Sequence, residues 1–164
     1  MTIVALFGND SDLIDRYINY ICKNHMNCHK ITRVSANLEN STDFAQKIYN
    51  GQIIEATAVG NKIEGTDISD FKEEDIYLGN YNFNSIECLL SSPNKKIIPI
   101  CLKVEDLHLL KKCLEETETI KEGCQLFIKK SEEIDYSLNF DIYEIDDEYP
   151  ISEFEEYLWT KIDN

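Results

Sequence analysis

Two cysteines and two histidines lie close together in the sequence and could ligate a metal ion. They are Cys22, His25, Cys28 and His29, four potential ligands within eight residues. Thiolate and imidazole are ligands that zinc prefers, but this spacing differs from the usual patterns of zinc sites. The stretch also spans the predicted end of a helix and the start of a strand. We therefore predict no metal site here, and expect buried thiols and solvent-facing imidazoles instead.

The cysteines do not suggest a catalytic nucleophile either. Cys113 and Cys124 have no nearby histidine except His108, whereas a reactive thiol needs an adjacent base or cation. The six cysteines are widely spaced, and the first residues form one short apolar run without a basic flank. These features predict reduced thiols, no signal peptide or membrane span, and a cytoplasmic protein.

The charge of the chain is strongly negative. Its 164 residues include 31 acidic and 16 basic ones, a formal net charge of -15. Such a charge excludes binding to nucleic acid by general phosphate neutralisation and disfavours an anionic membrane. Residues 131–164 hold twelve acidic residues and one lysine. Two interpretations stay open: a solvated helix face around core aromatics, or an acidic face including Asp146, Asp147 and Glu148 that docks on a basic partner, imitating nucleic acid phosphates.

The first half of the chain alternates between strand and helix patterns. A β-branched run over residues 2–7 ends at Gly8 and predicts a buried parallel strand. Possible N-caps at residues 9–12 precede a helix that runs to about residue 23. Residues 28–34 and 53–59 predict strands, with a turn at residues 60–62. Between these strands, Ser41 or Thr42 can cap a helix that stops at residues 50–51.

The second half alternates more plainly. Strands are predicted over residues 75–78, 97–102 and 140–145, with Pro99 indicating an edge or an end of its strand. Helices are predicted over residues 85–90 and 104–116, in a segment ending near residue 134, and after Pro150. This order predicts a single α/β domain over residues 1–164, with a mainly parallel sheet and helices on both faces.

The order of the motifs resembles the guanylate kinase family over nearly the whole chain. Arg33, preceded by threonine, stands where the family has its Thr-Arg pair. Residues 44–55, from Phe44 to Glu55, resemble the block Phe-x6-Gly-x3-Glu, and Gly65-Thr66 follows at the family's interval. Residues 75–78 and 97–114 resemble the next strand and the strand–helix pair, and residues 140–143 are similar to the Tyr-Asp-Tyr motif.

The resemblance implies a P-loop-kinase-like core with a shortened monophosphate-binding-like region at about residues 33–74 and a lid-like region at about 115–127. Glu55 and Thr66 match the residues that read the guanine edge, and Arg33 matches an arginine on the monophosphate. With Gly8 and Gly65 they define a relic nucleotide site that would take a GMP-like ligand. The alternatives are a solvated Glu55, an Arg33 paired with a carboxylate, and a Thr66 that caps a helix.

The phosphate loop of the family is lost. An active enzyme needs a pattern such as Gly-x4-Gly-Lys-Ser/Thr, but Leu13, Ile14 and Asp15 stand at its last three positions. Asp10 and Asp12 add negative charge beside the place of the triphosphate. The chain also has only two arginines, Arg16 and Arg33, whereas the family uses several. We therefore expect no catalytic residues and no binding of ATP or magnesium.

These observations lead to the hypothesis of a pseudokinase. The chain would be a catalytically inactive guanylate-kinase-like binding module with a protein partner, as membrane-associated guanylate-kinase homologues are, and could be an accessory or phage-encoded inhibitor. The runner-up is a working nucleotide kinase, or a nucleotide binder, with an atypical phosphate site. A third hypothesis is an acidic protein that imitates nucleic acid.

Overall fold

The computed structural model describes residues 1–93, 95–135, 140–145 and 151–164. The strands are β1 (Thr2–Gly8), β2 (Cys28–Lys30), β3 (Val34–Ala36), β4 (Ile53–Val59), β5 (Lys62–Asp67), β6 (Ile76–Asn80), β7 (Lys96–Val104) and β8 (Asp141–Ile145). The helices are α1 (Ser11–Asn24), α2 (Ser41–Tyr49), α3 (Phe83–Leu90), α4 (Asp106–Glu116), α5 (Ile120–Asp135) and α6 (Ile151–Asp163).

The larger sheet has five parallel strands in the order β2-β6-β1-β7-β8. β1 lies at its centre because it is apolar on both faces. Val4 and Leu6 belong to the core on one side, and Ile3 and Phe7 belong to the core on the other. A strand buried on both faces is typical of a parallel sheet covered by helices.

Helices cover both faces of this sheet. On one face α1 and α6 pack together, with Ile18 and Phe154 in the same core cluster. On the other face α3 packs through Ile86 and Leu89. Helix α4 packs against α5 around Cys113, in a separate cluster that also includes Val104 of β7. The predicted α/β architecture, with a parallel sheet between helices, is therefore confirmed. Within the described ranges, no helix is both long and apolar enough to cross a membrane.

The chain between β2 and β6 forms an insertion that contains a small antiparallel sheet in the order β3-β5-β4. Phe44 of α2 packs with Ala36 and Ile53 to form its core. Gly60 turns β4 into β5 with φ 60°, a left-handed conformation that glycine adopts at little cost. The pairing places Glu55 directly opposite Thr66, so the insertion brings two of the predicted site residues side by side.

Two local predictions in the insertion are wrong. The single strand predicted over residues 28–34 is two strands in different sheets, because the chain leaves the larger sheet after β2 and joins the smaller one at β3. Helix α2 begins at Ser41, and Asn40 stands at the N-cap position. The hydroxyl of Ser41 instead donates to the carbonyl of Leu38, so neither Ser41 nor Thr42 is the cap.

The prediction that Pro99 marks an edge strand or the end of its strand is wrong, because β7 is an inner strand and Pro99 lies within it. β7 lies between β1 and β8, and Pro99 is paired with Ala5 of β1. In the described part of the chain, however, β8 pairs with β7 only from Ile100 onward. Pro99 therefore lies where β7 has one neighbouring strand, which suits a residue without an N–H donor. The helix predicted from residue 104 begins at Asp106 because Val104 still belongs to β7.

Candidate functional site

The turn between β1 and α1 occupies the place where the sequence resemblance puts a phosphate loop. It is short: β1 ends at Gly8 and α1 begins at Ser11. A Cβ on Gly8 would lie 1.9 Å from the carbonyl oxygen of Leu102, so only glycine fits beside β7. The buried Asn9 amide donates to the Val104 carbonyl over 3.0 Å, and its oxygen accepts the Val104 N–H over 2.8 Å. The turn is therefore fastened to the end of β7.

Asp10 caps α1 with its carboxylate. One oxygen accepts the backbone N–H of Leu13 over 3.3 Å, and the other accepts the ammonium of Lys112 over 2.7 Å. Partial burial lowers the pKa of Lys112, but the hydrogen bond and charge of Asp10 outweigh it and hold the pKa above its ordinary value. A helix N-terminal N–H and a lysine are the donors that a P-loop offers to phosphate. Here they bind a carboxylate of the same chain.

Arg33 lies in the link between the two sheets and reaches both strands of the β4–β5 hairpin. Its Nη2 donates to Glu55 over 2.5 Å, to the Thr57 hydroxyl over 3.0 Å and to the Glu64 carbonyl over 3.1 Å. Its Nη1 lies 3.4 Å from the Glu64 carboxylate. The guanidinium also lies 5.9 Å from the ring centroid of Tyr81, within the range of a cation–π contact.

The carboxylate of Glu55 is satisfied within the chain. Its side chain is 0% exposed, one oxygen accepts from Arg33, and the other accepts the Thr66 hydroxyl over 3.0 Å. The Thr66 and Tyr81 hydroxyls lie 2.8 Å apart. Burial is the largest influence on Tyr81 and raises the pKa of its hydroxyl above the ordinary value. The four side chains form one buried polar network at the base of the insertion.

Two glycines make room for this network. A Cβ on Gly65 would lie 2.6 Å from the Glu55 carbonyl oxygen, and a Cβ on Gly79 would lie 2.3 Å from the ring of Tyr81. The glycine at residue 79 therefore leaves the space that the ring of Tyr81 fills.

The structure brings together some of the predicted site residues. Arg33, Glu55, Gly65 and Thr66 are neighbours, whereas Gly8 belongs to the β1–α1 turn. Of the alternatives from the sequence, a solvated Glu55 and a helix-capping Thr66 are wrong, and the pairing of Arg33 with carboxylates is confirmed. Whether this cluster reads a nucleotide stays a prediction. The predicted acidic face, Asp146, Asp147 and Glu148, lies outside the described residues.

Sequence reasoning missed Tyr81 and Lys112. A signal for Tyr81 was present in the sequence, because Gly79 stands two residues before it. On an extended chain, residues two apart lie on the same side, so the glycine leaves room for the ring. Lys112 carries no local sequence signal, since it lies 102 residues from its partner Asp10.

A cavity of about 200 Å³ lies between the β1–α1 turn and α5. Gly8, Asn9 and Ser11 line one side, and Lys129 and Lys130 line the other. Lys130 approaches Glu116 at 3.9 Å. The two lysines therefore place positive charge beside the β1–α1 turn.

The four candidate metal ligands have other neighbours. His25 contacts the Glu155 carboxylate and the edge of Trp159, and His29 lies 2.9 Å from the Asp75 carboxylate. Among the described residues, no group of three or more histidine, cysteine or acidic side chains is placed to hold a metal ion. All six cysteines are free, as expected from their spacing, and burial raises the pKa of Cys28 to about 11.

The fold is a P-loop kinase-like α/β fold, as comparison with solved structures shows. A guanylate kinase from Anaplasma phagocytophilum matches with a TM-score of 0.58 and 14% identity, over 97% of this chain and 82% of that chain. An uncharacterized protein from Eubacterium ventriosum ATCC 27560 matches with a TM-score of 0.55 and 15% identity, over 100% and 99% of the two chains. At these identities the likeness shows the fold alone. No protein-family model and no curated protein matches the chain.

Proposed function

We propose that this chain is a guanylate-kinase-like protein that does not transfer phosphoryl groups and acts as a binding module for another protein. The observation that carries the proposal is the position of Asp10. Its carboxylate accepts hydrogen bonds from the backbone N–H of Leu13, at the N-terminus of α1, and from the ammonium of Lys112. A triphosphate would have to displace a negative charge that is covalently part of the turn, and repulsion between like charges opposes its approach.

The distribution of arginine supports the same proposal. Phosphoryl transfer depends on stabilising charge on the transferred group, and one arginine contributes about 10³–10⁵ in rate in enzymes that use one. Arg33 is engaged by Glu55 and Glu64, and Arg16 is the only other arginine. Ile14 stands at the position of the phosphate-loop lysine, so the turn also lacks the cation that this chemistry uses there.

The experiment is a phosphoryl-transfer assay with ATP, GMP and magnesium. We expect no ADP above a blank without protein, while a guanylate kinase measured beside it gives turnover near the ordinary range of about 1–100 per second. Turnover in that range by this chain would overturn the proposal.

The second candidate is a nucleotide-binding protein, and the cavity between the turn and α5 favours it. Lys129 and Lys130 could contact a phosphate there, but Asp12 lines the same cavity and opposes an anion. We expect calorimetry with ATP to give no heat of binding below millimolar concentrations. Binding that Lys129→Gln and Lys130→Gln weaken together would favour the nucleotide binder instead.

A further inference from the structure

An exposed apolar face runs along the pair of helices α4 and α5. Six side chains form what we call the α4–α5 face: Leu107, Leu110 and Leu114 of α4, and Ile120, Cys124 and Ile128 of α5. Leu110 is partly buried and the other five are exposed, with Leu107 and Ile128 each 57% exposed and Ile120 78% exposed. Single apolar side chains on a surface need no explanation, but a group of them on two neighbouring helices indicates a contact surface.

Helical spacing places each set of three in one row. The leucines stand at i, i+3 and i+7, and the residues of α5 stand at i, i+4 and i+8. The inner sides of the helices are defined by Leu109 and Cys113 of α4, which pack with Leu126 and Phe127 of α5. Because both helices are right-handed and antiparallel, the two rows then lie on the same side of the pair. Leu126 and Lys129 line the cavity beside the β1–α1 turn, on the opposite side of α5.

The two helices approach most closely at Gly123. A Cβ on Gly123 would lie 2.8 Å from a methyl carbon of Leu114 and 3.0 Å from its Cα. Since α5 runs back along α4, the point between residues 126 and 127 of α5 is level with the point between residues 110 and 111 of α4. The latter point is also the middle of the leucine row, which begins at Leu107 and ends at Leu114.

Lys121 and Glu132 border this face on α5. Both are exposed, and they lie on the same side of the helix because they stand about three turns apart. Neither has an ion-pair partner within the described part of the chain. Their midpoint falls between residues 126 and 127, level with the middle of the leucine row. A two-fold axis at this level, with a second copy laid antiparallel on the face, would therefore place Lys121 of each copy opposite Glu132 of the other.

We propose that the α4–α5 face is a dimer interface, occupied by a second copy of this chain in an antiparallel four-helix arrangement. A surface that pairs with itself about a two-fold axis has to be complementary to itself. This face meets that condition, since its leucines would contact leucines and its lysine would contact its glutamate. The interface lies apart from the β1–α1 turn and the insertion, so it does not depend on the proposed loss of kinase activity.

The first test is the mass of the protein in solution, measured by analytical ultracentrifugation. At about 100 µM, where an interface with a micromolar Kd is largely formed, we expect twice the 19.0 kDa of one chain. Added salt should not weaken the dimer, because it screens the repulsion between two chains of net charge -15 while the apolar contact remains. A monomer at this concentration, or a dimer that salt dissociates, would overturn the proposal.

Apolar substitutions locate the interface. Ile120→Gln with Ile128→Gln should raise the Kd of the dimer by about tenfold or more, because less apolar surface is removed from water. The matched control, Met26→Gln with Leu38→Gln, changes two apolar side chains that are 99% and 94% exposed, and should leave the Kd unchanged. No weakening by the first pair, or equal weakening by both pairs, would contradict an interface at this face.

Glu132→Lys separates the proposed pairing from a general effect of charge. The change makes each chain less negative, which by itself favours association, but at the proposed interface it sets a lysine against Lys121. We expect it to raise the Kd by about threefold or more. Lys121→Glu combined with Glu132→Lys should restore the Kd of the wild type. A tighter dimer with Glu132→Lys alone, or no restoration by the double change, would contradict the antiparallel pairing.

Discussion

Arg33 and Glu55 form a short ion pair in which the carboxylate is fully buried. The distance from Nη2 to Oε1 is 2.5 Å, and the side chains are 18% and 0% exposed. A buried carboxylate is costly to desolvate unless a charge and hydrogen bonds compensate it. Arg33 supplies the charge, and Thr66 supplies a hydrogen bond to the second oxygen. The same guanidinium that the resemblance assigns to a ligand phosphate therefore serves the insertion itself.

Removing the guanidinium should strongly destabilise the protein. We expect Arg33→Met to lower the free energy of unfolding by about 3 kcal/mol, because Glu55 is left as an uncompensated buried charge. Urea denaturation followed by circular dichroism measures the change. Arg16→Met, at an exposed arginine, should change it by no more than about 0.5 kcal/mol.

A double variant measures how strongly Arg33 and Glu55 stabilise each other. Arg33→Met combined with Glu55→Leu should cost less than the sum of the two single changes, since the double variant leaves no unpaired charge. Additive costs would mean that the two side chains do not stabilise each other.

The prediction of a GMP-like ligand leaves two alternative roles for Arg33, blocking Glu55 or binding the phosphate, and a thermal-shift assay with GMP distinguishes them. If Arg33 blocks Glu55, then Arg33→Met should increase the rise in melting temperature that GMP causes, measured from the variant's own baseline. If Arg33 binds the phosphate, the same variant should abolish the rise. Because the guanidinium already satisfies Glu55, we expect the increase.

Two controls define the ligand in that assay. Guanosine, which lacks the phosphate, should show the same trend as GMP if the base is what Glu55 reads. Glu55→Gln in the Arg33→Met background should abolish the rise, since an amide cannot accept two parallel N–H donors. A rise that survives this change would place GMP elsewhere on the molecule.

Tyr81 should make the protein less stable at alkaline pH. Burial raises the pKa of its hydroxyl in the folded state, while the unfolded chain ionises near the ordinary value of about 10. The contribution is fully present below about pH 10 and is lost as the pH rises above it, because the unfolded state releases a proton that the folded state retains.

The comparison with Tyr81→Phe measures this contribution. Between about pH 10 and 11.5, the unfolding free energy of the wild type should fall more steeply than that of the variant, by up to about 1.4 kcal/mol per pH unit. Tyr20→Phe, at an exposed tyrosine, should leave the slope unchanged. Equal slopes for wild type and Tyr81→Phe would show that the hydroxyl ionises as it does in the unfolded chain.

The sequence predicts the strands of the larger sheet better than it predicts the site. The apolar run that becomes β1 is buried on both faces, so local composition and tertiary environment agree. The strand predicted over residues 28–34 fails because its division between two sheets depends on partners from β5 and β6, far along the chain.

The contacts of the site were hard to predict because they also join residues that are far apart in the sequence. Glu55 and Thr66 are 11 residues apart and could be placed by the hairpin, but Arg33 lies 22 residues from Glu55. Nothing near Arg33 in the sequence distinguishes an arginine that binds a ligand from one that binds a carboxylate of its own chain. Asp10 could be predicted as a cap, whereas its pairing with Lys112 required the packing of α4 against the turn.

The acidic face predicted from the sequence can be tested through its dependence on salt. Residues 131–164 carry twelve acidic residues and one lysine, and charge-driven association is screened over about 8 Å at physiological ionic strength. In an affinity capture from host lysate, a basic partner should be retained at low salt and lost at high salt. Changing Asp146, Asp147 and Glu148 to Asn, Asn and Gln should weaken its retention at low salt.

A control triple change decides whether the effect belongs to that face. Glu39→Gln, Asp70→Asn and Glu74→Gln remove the same charge from exposed positions in the first half of the chain, and should leave the captured partner unchanged. Near-isosteric changes at these positions alter charge with little change of shape, so circular dichroism should show both variants folded.

A partner that the wild type and both variants retain equally, at low and high salt, would contradict the acidic face. The next region to test would then be the exposed side of the insertion that carries Arg33 and Glu55.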